Sequence, residues 1–482
     1  MMSQVSEILW TAGDAEAATG GKAVGGWNAM GVSIDSRTLV PGDLFVAITG
    51  PNFDGHKFAA AALAAGAGAV VIDHDPGDLD NAAPLLRVTD TLQALRDLGI
   101  AARARTQARI IAVTGSVGKT GSKETLKFVL ARQAETSASQ GNLNNHWGLP
   151  LSLARMPGQA TFGIFEMGMN NPGEITPLSK MARPHVALIT NVEAVHIAHF
   201  ATLEAIADAK AEIFTGVEPG GMAVLNRDNE HFHRLAEAAR TYGVDQVIGF
   251  GVSDDADFRL VEESCDTDGS SVTVDIGGHA LSYRLGIAGH HWVMNSLGVL
   301  AAVAAAGGNV GEAARSFGEL AAPKGRGRVH HLAIAGHPFT LIDESYNASP
   351  VSMNAGFEVL GQAPVGGGGR RIAVLGDMRE LGAESPARHA GLAVSLKRND
   401  IDLVFTAGTD MAHLFDALES GMKGGHAETT EALLPAVLAA IDSGDVVMIK
   451  GSHGSRTGLI VDALLAEAEK PVAMPSRAVN GQ

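Results

Sequence analysis

The sequence predicts an α/β protein of three domains: a central doubly wound, mostly parallel sheet, a Rossmann-like α/β domain after it, and a smaller α/β domain before it. Three observations carry this expectation. Short apolar runs alternate with helical patterns along most of the chain, which is how parallel βαβ units read. Between residues 257 and 285 the segments FRLVEE, SVTVDI and ALSYRL alternate polar and apolar positions between turn residues, so an antiparallel meander is expected at the edge of the central sheet. Finally, 482 residues exceed what one hydrophobic core holds.

Taken in order, the first domain, 1–107, has the strand signals GVSIDSR, DLFVAITG and AGAVVID and ends in a helical segment at 91–107. The second, 108–322, opens with the strand Arg109–Thr114, turns through glycines into a helix at 119–131, and continues with FGIFE, HVALIT and GMAVLN, each followed by helical or turn residues. After the meander a helix at 292–306 closes it. The third, 323–482, carries FTLIDE, RIAVLGD, DLVFTAG and DVVMIKG, again spaced by helical patterns. The run GGGG at 366–369 reads as a surface turn, and the tail from Pro471 as loosely held.

Composition narrows the function. A net charge of −17 argues against a nucleic-acid surface, which needs basic stripes, but leaves room for a nucleotide held by one loop and a few cations. Cys265 is the single cysteine, so no internal disulfide forms and a reducing compartment is expected. The first twenty residues lack the basic-then-apolar layout of a signal peptide. Apolar stretches such as 300–306 fall short of the roughly 20 residues of a membrane span. A cytoplasmic protein without membrane insertion is the expectation.

The strongest local signal is TGSVGKT, comprising Thr114, Gly115, Ser116, Val117, Gly118, Lys119 and Thr120, set between a strand and a helix. Glycines let backbone N–H groups approach phosphate oxygens, and the helix N-terminus adds partial positive charge. Lys119 is expected to neutralise the terminal phosphates of ATP or GTP, and the Thr120 hydroxyl to hold Mg²⁺. Val113 stands where the longer form of the motif has a glycine, so this is the shorter GxxGKT variant.

Other residues are weaker alone. Glu166 ends the run Phe162–Glu166, and strand ends in a parallel sheet face the ligand crevice, where a hard cation accepts carboxylate oxygen. An exposed strand-end residue fits that position equally. His196 and His199 follow the strand at 186–190, and each alone reads as a surface or structural residue. Lys210 shares a helix face with Leu203, Ile206 and Ala207. An inward lysine needs a partner or a modification; a snorkelling surface lysine is the plainer reading.

Together, TGSVGKT, FEMGMNNPGEI, NVEAVHIAHF, AKAEIF, LNRDN, GHHWVMNSL, KGRGR and LIDESYNASP occur in the order found in the Mur ligases. The sequence resembles that family, the ATP-dependent amino-acid and peptide ligases of the peptidoglycan stem, from SIDSRTLVPGDLFVAITG to IKGSHGSRT. SIDSR, PGDLFVAITG and DGHKF are shared with the enzyme adding the third residue. NLNNHWGLPLSL, DESYNASP and LGDMRELG resemble the dipeptide-adding branch, and the DNPR signature of the diaminopimelate-adding enzymes is absent. The resemblance implies ATP and Mg²⁺, an acceptor UDP-MurNAc-tripeptide, D-Ala-D-Ala as the amine, and action as a monomer. It implies that Lys119 is catalytic, that Thr120 and Glu166 hold one Mg²⁺ with His196 placing a second, and that Lys210 is carbamylated to an anionic oxygen ligand. His291 and Asn295 match positions near adenine, and Arg326 and Asp343 match residues reaching the nucleotide from the last domain. Ser36 and Arg37 are implied at the UDP end, Asn142 and Asn145 along the acceptor path, and Tyr346 and Asn347, with the loop at 450–455, near the dipeptide. Two departures stand out: Gly121, where many relatives carry Ser or Thr, and Trp292, where several carry Asn. A folylpolyglutamate synthetase is disfavoured by PGDLFVAITG. A non-catalytic nucleotide switch needs neither the Glu, His and Lys set nor two substrate domains.

Overall fold

The computed structural model describes residues 7–50, 53–194, 200, 202–266 and 269–468. The tail from Pro471, together with His196 and His199, lies outside the described residues.

The first sheet has five strands: β1 (Lys22–Val24), β2 (Gly31–Ser33), β3 (Asp43–Val46), β4 (Ala69–Ile72) and β5 (Leu85–Arg87), in the order β1-β5-β4-β3-β2. Only the β1–β5 pairing is antiparallel. Helix α1 (Thr91–Arg105) follows, its N-terminus capped by the Asp90 carboxylate, which accepts from the Gln93 N–H.

The central sheet contains β6 (Arg109–Thr114), β7 (Thr136–Ala138), β8 (Phe162–Glu166), β9 (Val186–Ile189), β10 (Met222–Asn226), β11 (Gln246–Gly251), β12 (Phe258–Asp266), β13 (Gly269–Ile276) and β14 (His279–Leu285). Their order is β7-β8-β6-β9-β10-β11-β12-β13-β14, parallel through β12 and antiparallel for β12–β13 and β13–β14. The meander expected from the alternating segments is therefore the sheet edge. β6 reads as continuously apolar because both its faces are covered. Ile111 and Val113 join one core with Leu126 of α2 (Lys119–Leu130), while Ile110 and Ala112 join the opposite core with Phe165 and Ile206. Two further helices matter below: α3 (Gly148–Ala154) and α4 (Leu203–Ala211). Helix α5 (His290–Ala305) is apolar nearly all round and fills the first of these cores with Val293, Leu297 and Leu300.

The last sheet has β15 (Arg328–Ile334), β16 (His337–Glu344), β17 (Arg371–Gly376), β18 (Leu403–Ala407), β19 (Lys423–Ala427) and β20 (Val446–Lys450). The order is β15-β16-β20-β17-β18-β19, parallel except for the hairpin β15–β16. Helix α6 (Pro350–Gln362) starts on a capping box between Ser349 and Ser352. The GGGG run forms an exposed turn, closed by the Gly369 N–H donating to Gly366 O (2.9 Å). β15 was not expected: its register alternates exposed and half-buried residues with polar side chains on both faces, so its apolar signal is weak.

Candidate active site

The phosphate loop is shaped by its glycines and by side chains packed against it. Gly115 and Gly118 take φ of 151° and 84°, and a Cβ there would meet Thr190 Oγ1 at 2.0 Å and Asn295 Oδ1 at 2.7 Å. Thr190 Oγ1 donates to Val117 O (2.5 Å), and Ser116 Oγ donates to Glu193 O while accepting from the Glu193 N–H, both at 2.9 Å. Among the described residues no side chain caps α2, so the first amides of this 12-residue helix are left for a ligand in the crevice. Lys119 Nζ donates to Gly115 O (2.6 Å) and Ser116 O (3.3 Å), folded back on its own loop. Burial pushes its ammonium pKa down, Glu166 opposes that shift, and Arg326 adds to it. Thr114 is buried, with its hydroxyl on Met167 O (2.8 Å), and shapes the strand end rather than facing the crevice.

Parallel pairing of β6 with β8 sets Val113 opposite Glu166, which brings the carboxylate beside the loop. Glu166 is 2% exposed, which excludes the exposed strand-end reading. Its Oε2 accepts from Thr120 Oγ1 (2.9 Å) and its Oε1 from Asn144 Nδ2 (2.8 Å). Both partners are neutral, and no cationic side chain among the described residues pairs with it. A buried carboxylate without a counter-ion is unfavourable, so a hydroxyl, a carboxylate and a free helix N-terminus together form a donor set that suits Mg²⁺ with phosphate. Asn144 was absent from the expected set, although Asn142 and Asn145 flank it; all three line the cavity. Asn145 also accepts from the Trp147 and Gly148 N–H groups at the start of α3. Asn144→Ala is expected to raise the Mg²⁺ needed for half-maximal turnover by roughly 10–100-fold. An unchanged Mg²⁺ titration would remove Asn144 from the metal's surroundings.

The last sheet supplies the opposite wall. Arg326 reaches across with Nη2 donating to Thr120 Oγ1 (3.2 Å), its guanidinium stacked over the Tyr346 ring at 4.1 Å. Asp343 is fully buried in β16 and does not line the cavity. Its Oδ2 accepts from the Gly325 N–H (2.8 Å) and its Oδ1 from Ser345, so it shapes the turn that carries Arg326. Lys450, at the end of β20, is buried with Nζ on Glu344 Oε2 (3.0 Å) and Asn347 O (3.2 Å), which sets Tyr346 and Asn347 on the wall. His291 and Asn295 line the same space from α5, and burial pushes the His291 imidazole pKa down. The resulting cavity measures about 930 Å³.

Lys210 is 2% exposed, so the snorkelling reading does not hold. It is not among the residues lining the cavity, and among the described residues no carboxylate pairs with it. Burial first, and the Lys119 charge second, hold its pKa well below the ordinary lysine value. Ser36 and Arg37 are not brought to the cavity; they follow β2 on the first sheet, with Arg37 exposed and paired to Asp35 (2.7 Å). Glu193, which the NVEAVHIAHF segment contains but does not single out, joins the cavity, its pKa raised by burial and its carboxylate bonded to Asn191 Nδ2 (3.0 Å).

Comparison with known proteins places this geometry. Three family models match in succession: "Mur ligase family, catalytic domain" over residues 28–105, "Mur ligase middle domain" over 113–303, and "Mur ligase, glutamate ligase domain" over 326–453. The chain is 34% identical over 436 residues to the UDP-N-acetylmuramoyl-tripeptide--D-alanyl-D-alanine ligase of Escherichia coli (strain K12), covering 90% of this chain and 93% of that one. It is also 34% identical over 439 residues to the ligase of the same name from Bacillus subtilis, with 90% and 93% covered. Among solved structures, MurF from Acinetobacter baumannii superposes with a TM-score of 0.82 at 28% identity, covering 95% of this chain and 99% of that chain. The MurF ligase from Thermotoga maritima in complex with ADP gives 0.76 at 26% identity, covering 91% and 98%. The chain belongs to the Mur ligase family of ATP-dependent ligases.

Proposed function

We propose that this ligase joins a carboxylate of UDP-N-acetylmuramoyl-tripeptide to the amino group of D-alanyl-D-alanine through an acyl phosphate, a step of peptidoglycan precursor synthesis. One observation carries the reading. Lys119, Thr120, Glu166 and Arg326 converge from two sheets on one cavity, with Asn144, Tyr346 and Lys450 among its other lining residues. The names of the relatives supply the substrates.

In this reading residues 1–107 hold the UDP end, 108–322 activate ATP and 323–482 receive the dipeptide. A carboxylate is a poor electrophile. Its oxygen takes the γ-phosphoryl group of ATP as the bond to ADP breaks, a transfer governed by positioning and charge neutralisation. Lys119, Arg326 and the amides of α2 neutralise the phosphate oxygens. Mg²⁺ supplies further neutralisation when bound: Thr120 and Glu166 would hold one ion, His196 would help to place a second, and a modified Lys210 would offer an oxygen ligand. The dipeptide amine then attacks the activated carbonyl carbon, the carbon–oxygen bond to phosphate breaks, and the amine releases a proton. Tyr346, Asn347 and Lys450 stand where the amine would enter, and closure between the sheets excludes water. A monomer is the proposed form. The single cysteine and the nucleotide substrate suit the cytoplasm; among the described residues no helix is long and apolar enough to cross a membrane.

Phosphate release from ATP tests the reading: it should require acceptor and dipeptide together. Release with diaminopimelate or lysine in place of the dipeptide would overturn it.

Lys210 extends the reading. Burial, which lowers its pKa, favours the neutral amine, the form that attacks CO₂ to give a carbamate and a proton. In bicarbonate enriched with carbon-13, the protein is expected to show one carbamate resonance that Lys210→Arg lacks. A fully active enzyme without that resonance would remove the modification.

A further inference from the structure

We propose that Trp292 is a positioning residue whose indole sets the distance between the Arg326 turn and the phosphate helix, so that the guanidinium lands on Thr120. This deepens the function proposed above and rests on Arg326 and Thr120 lying at the nucleotide.

The indole is 6% exposed and sits between two glycines. On one side is Gly121, the residue after Thr120, inside α2. A Cβ built there would lie 3.0 Å from Trp292 Cη2 and 3.1 Å from Cζ3, so the ring rests directly on the helix backbone. On the other side is Gly327, the residue after Arg326. A Cβ there would lie 3.5 Å from Trp292 Nε1 and 3.1 Å from Glu344 Oε1. The ring thus spans Gly121 to Gly327, alongside the bond from Arg326 Nη2 to Thr120 Oγ1 at 3.2 Å.

The two links have different stiffness. Arg326 is a long side chain on a turn with positive φ at both Gly325 and Gly327, and such a clamp loses rotamer freedom when it docks. An indole has two rotatable bonds and a rigid plane. Tyr346 supports the guanidinium from beneath, and Trp292 stops the approach of the turn toward α2. Gly121 and Trp292 are therefore one contact: the large ring occupies the room that a side chain at 121 would take. Glycine at 327 is called for by its φ of 93°, and a Cβ there would only touch the ring; at 121, one residue from Thr120, it is the ring itself that takes the room of a side chain.

The test is steady-state phosphate release by the full chain carrying Gly121→Ala, Trp292→Phe, both together, Arg326→Ala, and Trp292→Phe with Arg326→Ala. Thermal unfolding of each variant is recorded alongside. Gly121→Ala should lower kcat about tenfold by displacing the ring, and Trp292→Phe a few-fold, because the shorter ring no longer reaches α2. The pair should recover most of the parental kcat, because the smaller ring leaves room for the new methyl group. Combined with Arg326→Ala, Trp292→Phe should add no further loss. Losses that multiply in either pair, or that follow the unfolding temperature, would overturn the positioning role while leaving Arg326 at the nucleotide. Parental turnover by Arg326→Ala would overturn both.

Discussion

Lys119→Ala is expected to reduce phosphate release at saturating substrates on the order of a thousand-fold, with the chain still folded. The side chain holds no element in place. Its Nζ touches only carbonyls of its own loop, Gly115 O and Ser116 O, and that loop is independently fixed by Thr190 and Glu193. What disappears is a positive charge in a crevice that screens poorly, where charge develops on the transferred phosphoryl group. Nucleotide binding should suffer less than turnover, because the free amides of α2 remain. Lys119→Arg is not expected to restore activity, since a planar fork does not fit where a point charge does. The measurement is phosphate release beside a nucleotide titration; parental turnover in Lys119→Ala would remove the residue from phosphoryl transfer.

Glu166→Gln is expected to lower turnover by on the order of a hundred-fold or more and to move the Mg²⁺ requirement upward. The replacement keeps the size of the side chain and lets Thr120 and Asn144 keep neutral hydrogen bonds, so the effect isolates the charge. A second readout follows from the coupling to Lys119. Burial lowers the Lys119 pKa, and the Glu166 charge is what opposes that shift. Removing it lets the ammonium lose its proton at lower pH, so the alkaline limb of the pH–rate profile should shift toward acid. An unchanged alkaline limb together with an unchanged Mg²⁺ titration would show that Glu166 serves packing alone.

Legibility in the sequence followed the range of the interaction concerned. Lys119 and Thr120 were readable because a phosphate loop is local: strand, glycines and helix sit within a dozen residues. Glu166 was half readable. Its place at a strand end showed in FGIFE, but its burial depends on β8 pairing with β6. Asn144 was missed between two asparagines that were named, because only the fold of that segment decides which of the three amides meets the carboxylate. Asp343 was expected at the nucleotide and instead organises the turn beneath Arg326, a difference of side-chain direction at the end of β16. Lys210 read most simply as a surface lysine, since a helix face does not declare what covers it; the interior closed over it. Glu193 stood inside NVEAVHIAHF, where the histidines drew the reading, and only the fold turned its carboxylate to the cavity.

By itself the sequence determined the α/β class, the order of the three sheets' strand signals, the antiparallel edge and the phosphate loop, because these depend on periodicity and turn chemistry within short windows. Only the tertiary structure decided that Glu166 is buried against Thr120 and Asn144, that Arg326 crosses to Thr120, and that Trp292 bridges two glycines about 200 residues apart. Those contacts join segments distant along the chain. Their geometry follows from strand register and sheet docking, which no local pattern of side chains encodes.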